Sequence, residues 1–297
     1  MKIINIQSLN ELKLDGERVV ALGLFESMHR GHKKVIEHTV NLAIDNKMVA
    51  TVVTVSKPVN KAGLPIFSID HKLELMDSLS VDEVIVIEMN DEVRLSLSDD
   101  FINLLKNIGT SKVVSGSDYR FGYKGAGDVN LLKNNFDTEV QDFELEEQEK
   151  VSTTLIKSYL SKGKIKHANS LLGYNYYIKG TVEQGKQLGR TIGVPTANVY
   201  PDISPLATGV YLTKTTVFDN HYRSITNIGY NPTTGDGRLS IETYIGDGFS
   251  SNIYGQEIKV EMIEKIRDEV KFGSLDELVA RLKLDIKYME ETNYENC

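Results

Sequence analysis

The hydrophobic pattern of the chain changes period near residue 174, and no single layer architecture accommodates both sides of that change. Before it, short apolar or β-branched runs alternate with stretches at helical spacing. Residues 19–24 (VVALGL), 49–55 (VATVVTV), 83–87 (EVIVI) and 112–114 read as strands. Helices are expected over 33–47, where Ile36, Val40, Ala43 and Ile44 recur at helical intervals, from about Ser68, and over 99–107 with Ser98 as cap. Two more, at 152–161 and 165–172, close this half. Strands separated by helices predict a doubly wound, mainly parallel α/β sheet with a Rossmann-like layout, whose ligands collect at the carboxyl ends of the strands. From Tyr176 to about Lys265 the segments YYIKGTV, GVYLTKTTVF, LSIETYI and EIKVEMI are β-rich, separated by Gly, Pro, Asn and Asp, with no helical stretch between them. That predicts a small antiparallel β-barrel. A terminal helix follows, its start marked by the Ser274 and Glu277 capping-box pattern. The chain has 297 residues, enough for two cores, so the expected domains are 1–174 and 175–297.

Charge narrows the function classes. A formal charge of −8 argues against a duplex nucleic-acid binder, which needs a basic face. It leaves room for a phosphate ligand held locally by backbone amides and one or two cations. The one cysteine, Cys297, allows neither an internal disulfide nor a cysteine metal site, as suits a reducing cytoplasm. The first twenty residues put polar side chains where a signal peptide would need an unbroken apolar stretch, and no apolar run is long enough to span a bilayer. A soluble cytoplasmic protein without a membrane partner is the expectation.

The loop after the first strand of this reading, GLFESMHRGH at 23–32, sits where an α/β fold presents amides and a helix start to phosphate. Gly31 permits close backbone approach. His29 and His32, three apart, share a face on the first helical turn and can donate hydrogen bonds to a phosphoryl group as charge builds. The same pattern also suits exposed helix-start residues, or a metal held by Glu26, His29 and His32. No P-loop spacing occurs anywhere in the chain.

In the second half, glycines at 185, 189 and 193 make a pliable loop, with Lys186 and Arg190 supplying positive charge. Thr196 and Asn198, two apart in an extended segment, point the same way. Their hydroxyl and amide oxygens suit Mg²⁺ or another divalent cation held mostly by water and nucleotide phosphates. In the strand 239–245, Leu239, Ile241 and Ile245 make an apolar face and Glu242 lies opposite, with Ser240 and Tyr244. Taken alone, Glu242 reads first as a solvated carboxylate and only second as a base.

These motifs together resemble the bacterial bifunctional riboflavin kinase/FMN adenylyltransferase family. GLFESMHRGH is similar to its GxFDGxHxGH signature, GSDYRFG at 116–122 to its GxDFRFG loop, and VSTTLIK at 151–157 to its ISSTxIR motif. GKQLGRTIGVPTAN at 185–198 matches GxxLGRxxGxPTAN at every specified position. NIGYNPT at 227–233, Glu242 with NIYG at 252–255, and IRDEVKF at 266–272 follow in the family's order. The chain departs from the pattern at Glu26 (Asp), Ser27 (Gly) and Lys157 (Arg), and residues 54–59 (TVSKPV) lack the histidine of TFxPHP.

The resemblance implies flavin cofactor synthesis: ATP-dependent phosphorylation of riboflavin to FMN in the C-terminal domain and adenylylation of FMN to FAD in the N-terminal domain. It implies ATP contacts for Gly23, Phe25, Gly31, Ser152, Thr153, Thr154 and Lys157 in the first half. In the second it implies them for Gly185, Lys186, Gly189 and Arg190, with metal ligation by Thr196 and Asn198. Asp118, Arg120, Phe121 and Arg267 would face flavin. Glu242 would be the base for phosphorylation, and His29 and His32 would stabilise the transferring phosphoryl group. Three readings stay open on sequence: both activities, a riboflavin kinase with a degraded first site, or a flavin-sensing regulator without catalysis.

Overall fold

In a computed structural model the chain divides into two compact units, Met1–Thr153 and Thr154–Cys297. The structure describes residues 1–56, 65–142, 145–146, 149–185, 189, 192–201, 204–230 and 239–294. Lys186, Arg190, Cys297 and the stretches 57–59 and 231–233 lie outside the described residues.

The first unit is built on a six-stranded parallel sheet. Its strands are β1 (Lys2–Ile6), β2 (Arg18–Leu22), β3 (Val49–Val55), β4 (Glu83–Ile87), β5 (Thr110–Gly116) and β6 (Asp137–Gln141), in the order β1-β4-β3-β2-β5-β6. Helices α1 (Arg30–Asn46), α2 (Ile69–Ser78), α3 (Asp91–Leu95), α4 (Ser98–Asn107) and α5 (Val129–Lys133) supply the crossovers and flanking layers. The two faces of the sheet bury separate cores. One holds Val20, Leu22, Phe101, Leu104 and Leu105; the other holds Val19, Ala21, Ile36, Val40 and Met76. Burial on both faces is why β2 and β4 read as unbroken apolar runs. A short hairpin, β7 (Leu145–Glu146) with β8 (Glu149–Lys150), ends the unit.

Three local expectations shift. Ser98 opens α4 rather than capping it. The N-cap is Leu97, whose amide donates to Asp100 Oδ2 at 2.8 Å. A carboxylate in the first turn thus does the work expected of a hydroxyl. Strand β1 precedes the first strand read from the sequence, and β6, with its charged residues, adds the opposite edge.

The second unit begins at the second residue of α6 (Thr153–Ser161) and continues with α7 (Ile165–Leu172). The pattern assigned both to the first half. However, Asn169 of α7 donates to the Met262 carbonyl at 2.9 Å and accepts from the Tyr176 amide at 2.9 Å, which ties the helix to the barrel. The barrel comprises β9 (Tyr177–Thr181), β10 (Thr196–Val199), β11 (Gly209–Val217), β12 (Asn220–Tyr230), β13 (Leu239–Ile245) and β14 (Glu257–Arg267). These form one antiparallel sheet in the order β10-β13-β12-β11-β14-β9, and a bridge from Glu183 to Asn198 draws its two edges together. Inside the curl, Tyr211, Ile228, Ile241 and Met262 are buried. They share that interior with a hydroxyl chain: Thr215 to Ser224 (2.7 Å), Ser224 to Thr213 (2.7 Å), Thr213 to Thr226 (2.9 Å) and Thr226 to Thr243 (3.0 Å). Each hydroxyl satisfies its neighbour, so the threonines of these strands face inward without a desolvation penalty.

On the outer face, Val210, Leu212, Ile225 and Ile263 pack under Met289 of the terminal helix α8 (Leu275–Glu291). Ser274 caps α8 by accepting from the Glu277 amide at 3.2 Å. The Glu277 carboxylate reaches back to the Gly273 amide, one residue beyond the position that a capping box prescribes.

Candidate active sites

The first site is built at the carboxyl ends of β2 to β5. Beyond Leu22 the chain turns back under itself: Phe25 and Met28 take left-handed backbone (φ 46° and 47°) and both are buried. Gly23 makes that turn possible, because a Cβ there would meet the Phe25 ring at 2.8 Å. Ser27, the family's glycine position, is not among the residues with positive φ. Its buried hydroxyl instead pairs with Thr153 Oγ1 at 2.9 Å. The serine therefore places no strained side chain in the loop.

His29 does not enter the helix. It is the N-cap of α1, and its Nδ1 accepts from the His32 amide at 3.2 Å. The two imidazoles stack with centroids 3.6 Å apart and planes 14° from parallel, and Phe25 meets His32 edge-on at 5.4 Å. Burial lowers the His29 pKa to about 4, so the ring is neutral at pH 7. With Nδ1 accepting, the proton of the neutral ring sits on Nε2. His29 is thus a neutral donor, not a cation.

A cavity of about 380 Å³ opens on this loop. Gly23, Phe25, Gly31, His29 and His32 line it, as do Asp118, Arg120, Ser152 and Thr153 from later in the unit. Glu26 lines it too, although buried. Thr154 and Lys157 lie on α6, in the second unit, and are not among the residues that line this cavity. Lys150, which the sequence did not single out, pairs with Asp118 at the cavity edge. Among the described residues no group of three His, Cys, Asp or Glu side chains is placed to hold a metal, so Glu26, His29 and His32 form no metal site.

A second cavity of about 390 Å³ adjoins, sharing Gly23, Leu24, Tyr119 and Arg120 with the first. Its walls are largely apolar (Val53, Val55, Ile87, Phe101, Phe121), with Arg94 and Lys124 also lining it. Phe121 thus lines the apolar cavity, Asp118 the polar one, and Arg120 both. Thr54 and Val55, in the stretch that departs from TFxPHP, also form wall here. Neither Arg94 nor Lys124 lies in a motif. Only the packing of α3 and the turn at Tyr123–Gly125 brings them in.

In the second unit the strand registers assemble the site. Glu242 of β13 lies directly across from Asn198 on β10 and from Asn227 on β12, and Thr196 faces Tyr244. Directly paired residues share a face, so Thr196, Asn198, Asn227 and Glu242 form one polar cluster on the outside of the barrel. Gly185 seats itself against the Asn198 amide, where a Cβ would come within 2.5 Å of Nδ2. Gly189 and Val194 close the following turn through a 2.7 Å hydrogen bond.

A cavity of about 310 Å³ lies over this cluster, lined by Gly189, Thr196, Asn227 and Glu242, and by Leu278 and Leu282 of α8. Arg267 also lines it, its guanidinium held by the buried Asp285 of α8 through bonds of 2.7 and 3.1 Å. A neighbouring cavity of about 460 Å³, lined by Val182, Pro195, Asn252 and Tyr254, shares Thr196 with it. Among the described residues, two adjoining cavities thus meet at Gly23, Leu24, Tyr119 and Arg120 in the first unit, and two meet at Thr196 in the second.

Comparison with known proteins agrees with this division. The FAD synthetase family model matches residues 12–159 and the riboflavin kinase model residues 172–293. The chain is 34% identical to a bifunctional riboflavin kinase/FMN adenylyltransferase of Listeria monocytogenes over 91% of each chain. It is 33% identical to that of Bacillus subtilis and 31% identical to that of Escherichia coli K12, in each case over 96% of both chains. Among solved structures, one described as a macrolide-efflux protein from Streptococcus pneumoniae superposes with a TM-score of 0.89 at 28% identity, over 99% of this chain and 100% of that one. Among the described residues of this chain, no helix is long and apolar enough to cross a membrane.

Proposed function

This chain belongs to the bifunctional riboflavin kinase/FMN adenylyltransferase family, and we propose that the four cavities described above divide the two reactions of flavin cofactor synthesis between the units. The enzyme phosphorylates riboflavin to FMN and adenylylates FMN to FAD, with ATP as donor in both steps. In our reading the unit of residues 1–153 forms FAD and the unit of residues 154–297 forms FMN.

The reading of the second unit rests on one observation: Glu242 is paired with Asn198 and Asn227 beside Thr196, the residue common to both cavities. Riboflavin occupies the cavity under α8 and ATP its neighbour. Glu242 accepts the proton of the ribityl terminal hydroxyl, which attacks the γ-phosphoryl group and releases ADP. Arg267, fixed by Asp285, borders the flavin. Gly185 and Gly189 carry the backbone past the nucleotide, and Lys186 and Arg190, between and beside them in sequence, supply charge.

Thr196 and Asn198 fit Mg²⁺. A hydroxyl and an amide on one face of a strand, with the amide seated against the Cβ-free Gly185, offer neutral oxygens to an ion that keeps its water and phosphate ligands. When bound, the ion neutralises charge on the phosphates.

In the first unit ATP takes the cavity of the histidine loop and FMN the apolar one. The FMN phosphate attacks the α-phosphorus at their shared rim, and pyrophosphate leaves. The neutral His29, donating from Nε2, and His32 stabilise the charge that develops. Ser152 and Thr153 border the nucleotide, with Thr154 and Lys157 following them in the same motif of the sequence, and Asp118, Arg120 and Phe121 border the flavin side. A cytoplasmic location suits the lone Cys297, since thiols stay reduced there.

Incubating the purified chain with riboflavin, ATP and Mg²⁺ and separating the flavins tests the whole reading. FMN followed by FAD is expected. FMN alone would leave a kinase with an inert first unit, and neither product would leave a flavin-binding regulator.

A further inference from the structure

Lys72 of α2 is buried, with 5% of its surface exposed. Its Nζ donates to the Leu24 carbonyl at 3.0 Å, the Val55 carbonyl at 3.2 Å and Thr54 Oγ1 at 3.3 Å. Thr54 Oγ1 in turn donates to Leu24 O at 3.0 Å. All three partners line the apolar cavity of the first unit, and Leu24 lines the polar one as well. The ammonium therefore lies behind the wall that the two cavities share.

A buried ammonium is costly, and a methionine would fill the space more cheaply. Burial lowers the Lys72 pKa to about 8, and the attraction of Glu26 opposes that shift. Two features of the wall give the charge a purpose. Leu24, at the rim the two cavities share, and Val55, in the wall of the apolar cavity alone, turn their carbonyl oxygens to the ammonium, and unneutralised carbonyl dipoles so near two anionic substrates would repel phosphate. The loop that begins at Gly23 also carries two left-handed residues, Phe25 and Met28, before it reaches His29. Such a conformation persists only where neighbouring structure holds it.

We propose that Lys72 is a positioning residue for adenylyl transfer, tying the histidine loop to the end of β3 and offsetting the carbonyl charge behind the phosphates. This rests on the adenylyltransferase reading of the first unit. Lys72 touches no reacting atom. It acts through Leu24, and so through the placement of His29.

The test uses the full chain, measuring FAD formation from supplied FMN and ATP beside FMN formation from riboflavin in the same preparation. Lys72→Met is expected to lower kcat for FAD on the order of ten- to a hundredfold, as a small misplacement of catalytic groups does. The KM values for FMN and ATP should move less than about threefold. FMN formation is expected to stay unchanged, and Lys72→Arg to recover part of the loss. Should the methionine variant fail to fold, Lys72→Gln keeps a donor for the carbonyls without the charge and reads the same quantities. A kcat for FAD within about twofold of wild type in the folded variants overturns the proposal. So does an equal loss of both activities, which reports damage to the fold. A wild-type chain that forms FMN but no FAD sinks the adenylyltransferase reading itself, an outcome distinct from either.

Discussion

The two units solve the same problem, bringing a flavin against ATP, with opposite kinds of scaffold. In the first unit the site hangs from the ends of parallel strands, so its groups sit on loops that need support from behind: Ser27 on Thr153, His29 on the His32 amide, Leu24 on Lys72. In the second, Glu242, Asn198 and Asn227 are mid-strand residues placed by register alone. The contrast teaches where each reaction is vulnerable. On the proposed reading the barrel site should fail when Glu242 is removed, and the loop site should weaken most when Lys72, which holds Leu24, is removed.

The sharpest break in that comparison is Glu242→Gln. FMN formation should fall on the order of a thousandfold, because a positioned base is lost while the strand register stays. FAD formation from supplied FMN should not change. Assays of each half-reaction on one preparation decide this, and a retained kinase rate would remove Glu242 from its role.

Asp285→Ala comes next. It strands the Arg267 guanidinium at a site where Asp285 is 1% exposed. Breaking a buried pair in this way costs about 3–5 kcal/mol, read as a lower denaturation midpoint for the second unit with a raised KM for riboflavin. The first unit should keep its stability and its activity.

His29 gives a pH signature to the loop site. Burial lowers its pKa from 6.5 to about 4, so the unfolded chain binds the proton more readily between those values. The resulting stability is full above pH 6.5 and is lost as pH falls towards 4, a total of roughly 3 kcal/mol. Denaturant midpoints of the first unit across this range should slope for wild type and flatten for His29→Asn. A flat wild-type curve would contradict the buried neutral ring.

The smallest effect tests the departure from the family's glycine. Ser27→Gly should cost about 1 kcal/mol of first-unit stability through the lost hydrogen bond to Thr153. Because Ser27 does not carry the loop's positive φ, FAD formation should stay within about twofold of wild type. A large gain in activity would mean that the serine obstructs the loop after all.

Much of both units was legible beforehand, for reasons that differ. Strands β2, β3 and β4 were readable because burial on both sheet faces leaves unbroken apolar runs. Strand β6 (DTEVQ) was not, because a solvated edge strand can carry charges that erase the pattern. The threonines of β11 to β13 gave no signal of which face they take. Thr213, Thr215, Thr226 and Thr243 line the barrel interior, since their hydroxyls find partners only once strands distant in sequence have paired. Lys72, within a helix rich in Asp and Glu, resembled any solvated lysine.

The sequence by itself determined the change of fold at the middle of the chain, the loop with its two histidines, and the motifs around Thr196, Asn198 and Glu242, because these are local facts of periodicity and spacing. Only the tertiary structure decided that His29 is a neutral N-cap, that Asn198 and Asn227 flank Glu242, and that Lys72 stands behind the wall of two cavities. Each of these depends on burial or on pairing between residues far apart in the chain, and neither is written in any local pattern.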